Sequence, residues 1–166
     1  MSEIIFFFIF VEITSTMIFS KACEYGIRAT IFIATQSENS KKLSLNDVAS
    51  NINSPAAFTA KILQQLVKTG IVNSAKGPNG GFWISNEASL EMNMLQVVKS
   101  IDGIEVFSRC ALGFQQCDST HPCPMHFQIT DIRDALYKML NETKLNELSN
   151  SIQNGETFIR GISMID

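Results

Sequence analysis

Between Cys110 and His126 the chain reads CALGFQQCDSTHPCPMH, which places three of its four cysteines and both of its histidines within seventeen residues. Thiolate and neutral imidazole are the side chains that bind soft and borderline metals, so the cluster raises metal or redox chemistry first. Six residues separate Cys110 from Cys117, five separate Cys117 from Cys123, and two separate Cys123 from His126. That is not the paired Cys-x-x-Cys of a zinc ribbon, which weighs against zinc but leaves a structural zinc site as an alternative. A disulfide would use two of the sulfurs and strand the third. Three thiolates and a nitrogen are a reasonable ligand set for a small iron-sulfur cluster, because imidazole can replace thiolate and shift the potential.

The other chemistry-bearing residues are sparser. His121 reads as a solvated loop residue, and the remote Cys23 as a small buried thiol on a helix. No Ser/His/Asp constellation, phosphate-cradling glycine loop or pair of carboxylates beside a histidine is present, so the chain does not read as an enzyme. The net charge of -3 hides an asymmetry. Met17 to Leu90 carries seven Lys/Arg against four acids, and Glu91 onward carries six against ten. A basic module followed by an acidic one is expected, and the basic part is the candidate for nucleic acid.

The elements that must position these residues are short helices. Ser20 can cap a helix running to about Ser37, with stripes at Ala22, Gly26, Ala29, Ile33 and at Ile27, Ile31, Ala34 that predict burial on both faces. Ser44 and Asp47 approach a capping box and open a short second helix. In NSPAAFTAKILQQLVKTG, Ser54 is the expected N-cap, Pro55 the first helical residue and Gly70 the stop. Phe58, Ile62, Leu63 and Leu66 share one arc of that helix. Ala57, Ala60, Lys61, Gln64 and Lys68 share the other, a surface suited either to solvent or to a DNA major groove.

GIVNSAKGPNGGFWIS then predicts a strand over Ile71 to Ser74, a glycine-rich turn and a second strand led by Phe82 and Trp83. Helix-turn-helix followed by a hairpin is the winged-helix layout, with the third helix in the major groove and the hairpin tip against the backbone. After the cysteines, Ile129, Ile132, Leu136, Met139 and Leu140 form a helical stripe that either packs on its own domain or pairs with a second copy. TKLNELSNSI predicts a closing helix capped by Thr143, and a loose tail follows Gly155.

The chain resembles the BadM/Rrf-type winged-helix regulators from about Met17 to Ser151. The likeness lies in SKACEYGIRATIFIA, LVKTGIVNSAKGPNGGFWIS, the cysteine cluster and NETKLNELSNSI. It implies a mainly α fold with a small β-hairpin: a winged helix-turn-helix over 17–90, a cluster loop and dimerisation helices over 91–154, and a flexible tail over 155–166. Residues 1–16, with an apolar run too short to span a bilayer, read as a spurious or frayed extension. With no export signal and no run long enough to span a bilayer, a cytoplasmic protein without membrane association is expected, and the resemblance implies a homodimer that represses transcription from a near-palindromic site on double-stranded DNA. The expected DNA contacts are Arg28, Ser54, Ala57, Lys61, Gln64, Lys68, Lys76 and Asn79.

Two templates within that family compete for the cofactor. Some members hold a 2Fe-2S cluster with three cysteines and a histidine, which Cys110, Cys117, Cys123 and His126 match with one extra residue in the first gap. Others hold a 4Fe-4S cluster whose fourth ligand is an acid from the partner's first helix, a position matched by Glu24. The first is favoured here. An iron-sulfur electron carrier is the rival class, but a helix-turn-helix with a wing has no use in one.

Overall fold

A computed structural model describes residues 18–37, 41–110, 112–114 and 117–159; the extension expected at 1–16 lies outside them. Helix α1 (Lys21–Ser37) starts where Ser20 Oγ accepts the Cys23 N–H at 3.1 Å, and Ser20 is held in turn by the Asp102 carboxylate. Cys23, Ala29 and Ile33 are fully buried, while Ile27, Ile31 and Phe32 are partly buried against the same core, so α1 is central, as its two stripes predict. Gly26 lets neighbours approach closely, because a Cβ there would collide with the Ile101 side chain and touch Ile62.

Helix α2 (Leu45–Asn51) carries the expected capping box. Ser44 Oγ accepts the Asp47 N–H at 3.1 Å, and the Asp47 carboxylate accepts the Ser44 N–H at 3.0 Å. The turn to α3 (Ala56–Lys68) passes through Asn53 at φ 53°, a left-handed conformation that asparagine tolerates. Helix α3 begins one residue later than expected. Pro55 is its N-cap, and the Ser54 hydroxyl accepts a hydrogen bond from Thr59 Oγ1 at 2.9 Å instead of capping. Its end follows the sequence: Gly70 takes φ 77° and the Ile71 N–H returns to Leu66 O at 2.9 Å.

Strands β1 (Asn73–Ala75) and β2 (Gly81–Trp83) pair antiparallel, with Ser74 opposite Phe82. The first strand starts two residues later than expected, because Ile71 and Val72 are buried and both donate their N–H to Leu66 O in ending α3. Leu43 bridges to Phe82, which fastens the entry to α2 along the hairpin.

Helices α4 (Asn86–Glu91) and α5 (Met94–Asp102) follow, each started by a side-chain cap, Ser85 and Asn93. Beyond a 3₁₀ turn over Glu105–Phe107 and a long loop lie α6 (His126–Glu142) and α7 (Leu145–Gln153). Thr143 is the C-cap of α6, its hydroxyl spent on Met139 O at 2.7 Å, so Lys144 rather than Thr143 occupies the N-cap of α7. The core is continuous: Val97, Val98, Leu140 and Leu145 join Ile33, Leu63 and Leu66 in one cluster, with α1 touching both α5 and α7. Past Gly155, Phe158 is exposed while Ile159 packs against the core.

Candidate metal centre and nucleic-acid interface

The described residues of the cysteine loop form little regular structure, and its ends are anchored. Gly103, at φ 76°, closes α5. The Phe107 ring meets Tyr137 of α6 edge-on, with centroids 5.3 Å apart. At the other end the His126 N–H bonds to Cys123 O at 3.0 Å, so the last cysteine is one turn from the start of α6 and His126 is its first residue. Between them, the Asp118 carboxylate accepts the Thr120 N–H at 2.8 Å and makes a local turn.

These constraints bring Cys110, Cys117, Cys123, His121 and His126 to the wall of one cavity of about 370 Å³, together with Phe114, Asp118 and Pro124. All three thiols are free and half-buried, whereas His126 is only 8% exposed. Cys117 Sγ lies 3.3 Å from His126 Nδ1 and accepts a hydrogen bond from Arg133 Nη2 at 3.2 Å. The backbone N–H groups of Leu112 and Phe114, with a smaller contribution from the Cys123 side chain, hold the Cys110 thiol below its usual range. His121 lines the cavity from its rim: its side chain is 88% exposed and pairs with Asp118 at 3.2 Å, in keeping with a solvated loop residue.

The donors converge without closing on a single point, for among the described residues no three His, Cys, Asp or Glu groups are near enough to grip one ion. Three thiols and an imidazole around a common space fit a polynuclear, sulfur-rich group by donor chemistry. Arg133 adds to that fit. Its Nε is buried and has no acceptor among the described residues, so the cationic side of the site has a donor to spare. Cys23 takes no part: it is fully buried on α1, and burial, then Asp102, push its thiol far up. Glu24 is not among the residues lining the cavity; it pairs with Lys21 at 2.8 Å in the first turn of α1.

On α3 the two arcs separate as the sequence predicts. Ile62, Leu63 and Leu66 are buried, and Ala57, Lys61, Gln64 and Lys68 lie exposed along one face. Gln65 is also exposed, but its amide is tied to Ser100 O at 2.7 Å and so braces α3 against α5. Arg28 sits 5.2 Å from the Tyr25 ring centroid, and that ring meets Phe58 of α3 edge-on. Ser54 is half-buried beside Thr59, and Lys76 and Asn79 are exposed in the hairpin turn. Gly80 is required there, since a Cβ would fall 2.3 Å from Ala75 O.

Two residues escaped the sequence reading. Lys42 lies over the Trp83 ring at 4.8 Å, adding a cation at the base of the hairpin; its place beside the strand-forming Leu43 was the available signal. Arg133 lies seven residues after His126, two helical turns along the same face, and that spacing was its signal.

Residues 19–151 match the sequence profile of a family described as Rrf2, iron-dependent transcriptional regulator. The HTH-type transcriptional regulator IscR of Escherichia coli is 28% identical over 127 residues, 76% of each chain. Among solved structures, CymR, the global cysteine regulator of B. subtilis, superposes with a TM-score of 0.65 at 21% identity, covering 79% of this chain and 95% of that one. The T. potens IscR structure gives a TM-score of 0.63 at 14% identity, covering 86% and 92%. Both superpositions identify the fold as that of winged-helix regulators.

Proposed function

The chain belongs to the Rrf2 family of winged-helix transcriptional regulators, and we propose that it is a repressor whose hold on its operator is set by an iron-sulfur cluster at Cys110, Cys117, Cys123 and His126. The convergence of three thiols and a buried imidazole on one cavity carries this reading. When bound, the cluster would supply a centre sensitive to oxidation, nitric oxide and iron-sulfur supply. A 2Fe-2S cluster is favoured over 4Fe-4S because His126 comes from the same chain and already touches Cys117.

The protein's own residues supply the coupling. His126 is both a candidate ligand and the first residue of α6, so a displaced loop displaces the helix. Helix α6 exposes Phe127 (65%), Ile132 (61%) and Met139 (51%), while Leu140 is buried in the chain's own core. Two of the five stripe residues, Ile132 and Met139, thus face outward together with Phe127, which supports pairing with a second copy. Beside it runs a groove of about 710 Å³ that includes Ile129, Ile132 and Leu136, and Cys110 lines both this groove and the cysteine cavity. Rearrangement at Cys110 would therefore be felt where the two copies meet, changing the spacing of the two α3 helices and so the fit to a near-palindromic site. On α3, Lys61 and Gln64 would reach base edges with Ala57 packing on a thymine methyl, while Arg28, Ser54, Lys68, Lys76 and Asn79 would hold the backbone. Among the described residues no helix is long and apolar enough to cross a membrane.

The test is anaerobic purification with a visible spectrum and analysis for iron, acid-labile sulfide and zinc. Iron and sulfide in equal amounts with a coloured protein are expected; a colourless, zinc-loaded protein would sink the cluster reading. His126→Ala should alter the spectrum and weaken retention by about 10–100-fold, and Glu24→Ala should leave both intact. The reverse pattern, with retention that depends on protein concentration, would assign a 4Fe-4S cluster with Glu24 donated across the dimer.

A further inference from the structure

We infer that Arg133 is a positioning residue: from two turns into α6, its guanidinium clamps both ends of the Cys110–Cys117 span. Nη1 donates to Arg109 O at 2.7 Å, the carbonyl immediately before Cys110, and Nη2 donates to Cys117 Sγ at 3.2 Å. Nη2 also reaches Thr130 Oγ1 at 3.3 Å, and the Thr130 hydroxyl donates to His126 O at 2.7 Å, so the fork is oriented by the first turn of the helix that carries it. A helical side chain leans toward the N-terminus of its helix, which is why position 133 can reach the loop beside position 126.

The arrangement gives Cys117 two attachments to one helix, His126 and Arg133. It also means that rotation of α6 cannot leave the first cysteine span unmoved. Lysine could not replicate this, because a single ammonium cannot span a carbonyl and a sulfur with the planar, two-pronged geometry of guanidinium. The cation serves a second purpose that deepens the cluster reading above. Thiolates and inorganic sulfide concentrate negative charge, and an N–H donor and positive charge at a ligating sulfur favour the reduced, more negative state.

Two measurements on the full-length protein separate these parts. The first needs no metal: trypsin cuts after Arg109, whose carbonyl is the one Arg133 holds. In metal-free protein, Arg133→Met should speed the appearance of the fragment ending at Arg109 by about tenfold, the loss of one charge-assisted hydrogen bond. Cutting at Lys76 should stay at the parental rate. Arg133→Lys should also speed the Arg109 cut, which keeps the test available if the methionine variant does not fold. The second measurement is the reduction potential of anaerobically loaded protein. It should fall in Arg133→Met and fall less in Arg133→Lys, which keeps the charge. Parental cutting at Arg109 in both variants would overturn the clamp, and an unchanged potential in both would overturn its electrostatic role. If the parent itself takes up no cluster, the cluster reading fails and the trypsin rates alone decide whether Arg133 clamps the loop.

Discussion

The hairpin with its helices and the cysteine loop are held by different physics. From Leu43 to Ile84, side chains such as Leu63, Leu66, Val72 and Ile84 are fixed by burial in a shared core, and the exposed Lys61 and Gln64 inherit their direction from buried neighbours on the same helix. From Ser108 to Met125 nothing apolar is fully buried among the described residues. Among the described residues that loop is set by hydrogen bonds: the Gly113 N–H to Cys110 O, the His126 N–H to Cys123 O, Arg133 to Arg109 O and Cys117 Sγ, and the Asp118 turn. The surface proposed to read DNA is backed by a packed core, whereas the cysteines are gathered but not closed on one point. A regulator needs that division, since a sensor locked by hydrophobic packing could not change state when its ligand changes.

The largest effect that would test this division is on stability. Leu63 is fully buried, so Leu63→Ala should cost about 3 kcal/mol, lowering the urea midpoint of the metal-free protein. Cys110→Ser should leave that midpoint essentially unchanged. A comparable loss in both would mean that the loop belongs to the cooperative core, and the contrast would fail.

Next in size are changes to the reading surface that leave the fold alone. Lys61→Ala and Gln64→Ala should each cost about 1–3 kcal/mol at the operator and relax base preference, with the urea midpoint unchanged. Lys76→Ala should weaken binding to all sequences alike and reduce the slope of affinity against salt by about one ion. Footprinting and salt titration decide it. If all three variants footprint like the parent, the surface has been placed on the wrong helix.

The same division explains what could be read from sequence. The Ser44–Asp47 box, the Gly70 stop, the two arcs of α3 and the glycine-rich turn of the hairpin are local patterns, and they lie where periodicity and turn chemistry put them. Errors came where a backbone or hydroxyl group had a second claimant. Ser54 is engaged by Thr59, Thr143 by Met139 O, and the N–H groups of Ile71 and Val72 by Leu66 O. In the loop the residue types raise metal or redox chemistry as an expectation, and Cys110, Cys117, Cys123 and His126 share one cavity. The spacing from His126 places Arg133 on the same helix face, but its contact with Cys117 spans sixteen residues and depends on how α6 is docked.

The smallest effect compares two carboxylates, one in each region. Asp47 is held below its usual range by hydrogen bonds from Ser44, and Asp118 by those from Thr120 and then His121. Both are solvent-exposed, so screening keeps either contribution small. The difference lies in what each one fastens. Asp47 closes the cap of a helix whose Val48 and Ala49 are buried in the core, whereas Asp118 closes an exposed turn that no buried apolar side chain ties to the core. A folded-state value lowered from the ordinary one gives stability that is present above the unfolded carboxyl value and is lost as pH falls through the folded one. Asp47→Ala should therefore cost about 0.5–1 kcal/mol in global stability at pH 7, and its deficit against the parent should shrink as the pH is lowered below the ordinary aspartate range. Asp118→Ala should leave the urea midpoint unchanged at both pH values, because the turn it loses lies outside the cooperative unit. A midpoint that follows Asp118 as closely as Asp47 would place the loop and the core in one folding unit.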